Sequence, residues 1–104
     1  MPITGRQFDL GITPEIEEWM RRIYEFLSTH PGEAYSLDEL EQALLNVEPD
    51  HLSTTDFLKQ AAEERRFQNA LEKLVDNNVL RGAEVDGVAY FAPGRFSVAD
   101  ILKD

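Results

Sequence analysis

Arg65, Arg66, Gln68 and Asn69 fall within one short stretch of the chain, and Lys73, Arg81 and Arg95 follow them. These residue types can read and grip a nucleic-acid duplex. Arg pairs with guanine, while Gln and Asn pair with adenine. Lys73, Arg81 and Arg95 could meet phosphates, which position a protein without reading sequence. A second reading needs no ligand. Arg65 and Arg66 can pair with Glu63 or Glu64, or hydrogen-bond to Asn69, on a solvated helix face.

The remaining polar residues suggest no catalysis. Asp38, Glu39 and Glu41 cluster, as do Glu15, Glu17 and Glu18. Such acids serve helix dipoles or face a basic partner, and nothing in the spacing implies a pocket that would make them an acid/base pair. His51 stands near Glu48, Asp50 and Asp56, but the spacing matches no zinc signature, so no metal site is expected. His30 suits a helix C-terminus. Ser36, Ser53 and Ser97 read as helix caps, with neither an adjacent base nor a nucleophile elbow. The six glycines are scattered through turns and form no phosphate-cradling loop. No cofactor is expected.

The whole composition narrows the classes further. The chain has 104 residues, the length of one domain, and 42% are apolar, enough for one modest core. Ten Lys and Arg against twenty Asp and Glu give a formal charge of −10. A nonspecific nucleic-acid coat or an anionic-membrane binder needs the opposite sign over a broad surface. The absence of cysteine excludes a disulfide framework, a thiolate zinc site and a thiol nucleophile. The opening MPITGRQFDL has no basic end before an apolar run, and no apolar run reaches the roughly 20 residues of a membrane span. A cytoplasmic location is the expectation.

The elements that would position these residues follow from periodicity. In an N-terminal arm, 1–12, Phe8, Leu10 and Ile12 alternate with Asp9 and Gly11, the period of a half-buried strand. The arm packs on its own domain or exchanges with a partner. A helix over 14–29 is capped by Thr13 with Pro14 at its first position. Its apolar stripe is Ile16, Trp19, Met20, Ile23, Phe26 and Leu27, with Glu17–Arg21 and Glu18–Arg22 as i,i+4 pairs outside. Trp19 could anchor an interface, but its place in the stripe favours the core.

A short extended piece at 33–35 precedes the capping box Ser36-Leu37-Asp38-Glu39, which opens a helix over 37–46. A longer helix is expected over about 54–77. It carries Phe57, Leu58, Ala61 and Ala62, then Phe67, Ala70, Leu71, Leu74 and Val75, and Asn77-Asn78 closes it. Strands 79–85 and 88–92 flank the turn Asp86-Gly87, setting Val85 against Val88, Ala83 against Tyr90 and Gly82 against Phe91. Ser97 and Asp100 cap a last helix at 98–103. The expected core is Trp19, Ile23, Leu27, Leu40, Leu44, Leu71, Leu74 and Leu80.

Helix, short strand, helix, helix, hairpin is the order of the winged helix. Residues 67–93, FQNALEKLVDNNVLRGAEVDGVAYFAP, resemble the recognition helix and wing of bacterial winged-helix transcription regulators. The resemblance lies in Leu71 and Leu74, the polar pair Asn77-Asn78, then Val79-Leu80-Arg81, and the aromatic strand of Tyr90 and Phe91. SLDELEQAL, 36–44, resembles the preceding helix. The resemblance implies an α+β winged helix of three helices plus a C-terminal two-stranded antiparallel wing. One domain, 1–104, would comprise the arm, a core at 14–93 and a tail at 94–104.

It further implies double-stranded DNA as partner, met by Arg65, Arg66, Gln68, Asn69, Lys73, Arg81 and Arg95. A homodimer would be built on the first helix and on Phe8, Leu10 and Ile12. Three features depart from the pattern: a long segment at 47–53, an acidic wing tip at Glu84-Val85-Asp86-Gly87, and the overall charge. They weigh against DNA binding without excluding it, so DNA binding of the transcription-regulator type stays the leading expectation; the alternative is a winged-helix module that binds another protein, and a third reading is an acidic mimic of DNA. The first two differ in surface. DNA binding needs the cations on one face without carboxylate partners, whereas protein binding predicts an apolar patch rimmed by acids.

Overall fold

The computed structural model describes residues 2–45 and 54–102. Within them the chain is α+β, with helices α1 (Gly5–Leu10), α2 (Pro14–Ser28), α3 (Leu37–Leu44), α4 (Thr54–Asp76) and α5 (Val98–Leu102). The strands are β1 (Tyr35–Ser36), β2 (Leu80–Val85) and β3 (Val88–Pro93). Ser53, His51 and the expected end of the second capped helix at residue 46 lie outside the described residues.

The caps act as the residue types dictate. Thr13 Oγ1 accepts from the Ile16 N–H, and Ser36 and Glu39 exchange both bonds of a capping box. Asn78 takes φ 61°, the Val79 N–H reaches the Leu74 carbonyl, and the Asn78 N–H reaches that of Val75. This Schellman closure turns the chain from α4 into β2. Asp86 and Gly87 both have positive φ, 51° and 80°, as a two-residue hairpin turn with matching twist requires. The β2–β3 register is the expected one, with Val85 against Val88 and Gly82 against Phe91.

Two expectations about the elements change. The sheet is not the expected two-stranded hairpin: β1 pairs antiparallel with β3, Tyr35 against Phe91 and Ser36 against Tyr90, so the order is β1-β3-β2. A two-residue strand whose partner lies far along the chain leaves no periodic mark. The arm is not a strand either. Thr4 and Gln7 form a capping box that opens α1, and Gly11 closes it. These local backbone bonds prevail over a short apolar alternation.

The core lies between α2 and α4 and is closed by the sheet and α5. Trp19, Met20, Ile23 and Leu27 of α2 meet Phe67, Ala70, Leu71 and Leu74 of α4, with Leu40, Val79, Leu80, Val98 and Ile101 around them. Leu44, expected inside, is only half-buried at the end of α3. Leu58 is 63% exposed. At 1.5 Å per residue α4 is about 35 Å long, and from Leu58 onward its first buried side chain is Phe67. Arg21 pairs with Glu17 at 3.1 Å as expected, but Arg22 leaves Glu18 and lies 4.2 Å from the Trp19 ring centroid. A cation over an indole face gains more than an exposed ion pair.

Gly94 marks where β3 leaves the sheet. Its N–H donates to the Val79 carbonyl at 2.7 Å, and an added Cβ would stand 2.7 Å from the Asn78 carbonyl oxygen. Because the neighbours are backbone, they cannot swing aside. Gly94→Ala is expected to cost about 1–3 kcal/mol in urea unfolding. A change below about 0.5 kcal/mol would mean the approach is looser than this geometry.

Candidate functional site

Helix α4 presents three flanks, because successive residues turn by about 100°. Phe67, Ala70, Leu71 and Leu74 face inward. The seven residues expected to meet DNA do not share one remaining flank. Arg65 and Asn69 are exposed, one turn apart on the outer face, with no hydrogen-bond or ionic partner among the described residues. Arg66 donates to Glu63 at 2.8 Å, and the other Glu63 oxygen accepts from Trp19 Nε1 at 2.9 Å. Lys73 is half-buried, with its Nζ beside Gly11 at the α1–α2 corner. Gln68 turns to the opposite flank and donates to Glu41 of α3 at 3.3 Å.

Arg81 lies on the outer face of the sheet, where its Nε donates to the Pro93 carbonyl at 3.1 Å. Arg95 lies past the end of β3, 5.8 Å from the Phe96 ring centroid. The structure thus brings Arg65, Arg66 and Asn69 together and separates Arg81 and Arg95 from them. The pairing of Arg66 with Glu63 is the arrangement the ligand-free reading describes.

The flank of α4 that faces α3 and the sheet holds a groove. Leu37, Leu71, Val75 and Phe91 make its apolar floor, and Gln68, Glu72 and Asp76 form its rim. The cavity is about 320 Å³. Glu72 and Asp76 are exposed and one turn apart, so they carry negative charge along the rim. These residues were legible only as the ordinary edge of an amphipathic stripe. Leu37 and Phe91 join Leu71 and Val75 only through the β1–β3 pairing and the turn of α3.

A second, larger hollow of about 550 Å³ lies on the outer sheet face, where Ala83, Val85, Tyr90 and Ala92 surround Arg81. At the C-terminus of α2, Phe26, His30 and Tyr35 cluster with ring centroids 4.5–5.8 Å apart, the Tyr35 ring edge-on to the other two. His30 Nδ1 lies 2.7 Å from the Phe26 carbonyl, so it donates its proton there and caps the helix. The Tyr35 hydroxyl donates to Glu33, and that bond, with a lesser contribution from desolvation, raises its pKa above the ordinary value. No three His, Asp or Glu side chains converge on a metal-sized site among the described residues.

Of Phe8, Leu10 and Ile12, Phe8 alone is open to a partner, at 75% exposed. Leu10 packs half-buried on the core, and Ile12 is inside it at 1% exposed. No helix among the described residues is long and apolar enough to cross a membrane. The chain matches no family model, no curated protein and no solved structure.

Proposed function

We propose that the chain is a winged-helix domain that binds another protein and carries out no catalysis. One observation carries this reading: the groove between α3, α4 and β3 is an apolar floor rimmed by Glu72 and Asp76. By helical spacing Glu72 and Asp76 also continue the exposed stripe of Arg65 and Asn69, so the face of α4 that would meet a duplex carries two acids that repel phosphate. A contiguous apolar hollow with a polar rim is the form of a protein-interaction site.

DNA binding of the transcription-regulator type is the second reading, favoured by Arg65 and Asn69 standing exposed and unpartnered among the described residues on α4. Titration with random duplex DNA at low salt separates the two. The protein-binding reading expects no binding by the wild type and none by a variant with Glu84→Lys and Asp86→Lys at the wing. DNA binding expects wild-type affinity with a shallow slope of log affinity against log salt, about −2 to −4 per chain, because few cations are available. It also expects loss in Arg65→Ala with Arg66→Ala and a gain in the lysine wing. That pattern would overturn the protein-binding reading.

A further inference from the structure

We infer that the occupant of the α3–α4–β3 groove is a basic amphipathic helix of another polypeptide. The inference rests on the protein-binding reading and specifies its partner. Three observations carry it: the backbone at the groove, the spacing of its charges and the shape of its floor.

At Phe91 the strand β3 is paired on both sides, with Tyr35 of β1 and Gly82 of β2. A segment lying against Phe91 therefore finds no free strand edge, and strand addition is closed to it. An extended segment would leave its own N–H and C=O groups unpaired over an apolar floor, which is costly. A helix satisfies its backbone internally and needs only side-chain contact, the helix-in-groove mode of recognition.

Charge selects the sign. Glu72 and Asp76 stand four residues apart on α4, about 6 Å along its axis, and both are exposed. On the α3 side, Glu41 accepts from Gln68 and adds a third carboxylate near the groove. The matching helix carries Lys or Arg at positions four apart on its flank. The groove follows α4 from Gln68 to Asp76, about 12 Å or two turns. Apolar anchors spaced i, i+3 or i+4, and i+7 along the partner would cover Leu37, Leu71, Val75 and Phe91. Such a helix is excluded from the outer sheet hollow by charge, since Arg81 stands in that hollow.

The test is selection of binders by the full chain from a library of helical peptides with fixed apolar anchors and flanking positions randomised among Lys, Glu, Gln and Ala. The expected result is enrichment of Lys at flanking positions four apart, with amide shifts at Leu37, Val75 and Phe91 on titrating the selected peptide. Glu72→Lys with Asp76→Lys should weaken that peptide by about tenfold, since each reversal replaces an attraction by a repulsion. Glu18→Lys with Glu25→Lys, two exposed acids of α2, changes net charge equally and should leave affinity within about twofold.

Selected peptides with neutral or acidic flanks that still shift the groove residues would overturn the basic partner and leave the protein-binding reading standing. Equal losses in both charge-reversed variants would overturn it too, by showing attraction to net charge alone. If no peptide of any charge shifts the groove residues, the inference falls. If duplex DNA then binds with the Arg65 and Arg66 dependence above, the protein-binding reading falls with it.

Discussion

Phe67→Ala is expected to lower the free energy of unfolding by about 3–5 kcal/mol. Phe67 is fully buried at the centre of the α2–α4 seam, and its ring meets Trp19 edge-on at 5.3 Å and 77°. Truncation removes the transfer energy of the ring, the aromatic contact and the packing around both. The void cannot readily close, because Trp19 is held by its bond to Glu63 and by Arg22 over its ring. The single Trp of the chain reports the loss directly in urea unfolding followed by fluorescence. Leu58→Ala on the same helix, where the side chain is exposed, should stay within about 0.5 kcal/mol. Equal effects at the two positions would mean that the inward face of α4 is wrongly placed.

Ile12→Ala should cost about 2–5 kcal/mol, although it lies in a segment whose pattern suggested a detachable arm. Ile12 is buried against the core, and α1 is tied to the rest of the chain at two further points. Gln7 Nε2 donates to Glu17 at 3.0 Å, and Arg6 Nε donates to the Ile101 carbonyl at 2.7 Å. Deleting residues 2–12 should therefore destabilise the chain more than the single substitution does. If instead the arm joined two copies, the midpoint of thermal unfolding would rise with protein concentration. A concentration-independent midpoint, lowered in both variants, is the expected result. A truncated chain with unchanged stability and reduced size in solution would restore the exchanged arm.

The two expectations show where sequence and structure part. Local signals carried α2, α3, α4, α5 and the hairpin, because each is written in bonds between residues near in the chain. Thr13 and Pro14 start α2, Ser36 and Glu39 start α3, Asn78 ends α4, and Asp86-Gly87 sets the β2–β3 register. The apolar stripes of α2 and α4 likewise identified Trp19, Ile23, Leu27, Leu71 and Leu74 as core. The same kind of signal was present for α1 in Thr4 and Gln7, but it competed with an alternation of only three apolar residues.

The candidate site was less legible, because a binding surface is defined by which flanks of separate elements come together. Sequence alone determined that this chain is acidic, lacks cysteine and carries seven of its ten Lys and Arg residues after position 52. Only the tertiary structure decided that those cations are split. Arg66 turns to Glu63, Lys73 to the α1–α2 corner and Arg81 to the outer sheet face. It also decided that Leu37 and Phe91 meet the acidic flank of α4. The physical reason is that helical period fixes a side chain's direction only relative to its own axis. The direction relative to neighbours is set by the α2–α4 packing and by the long-range pairing of Tyr35 with Phe91, which no local pattern encodes.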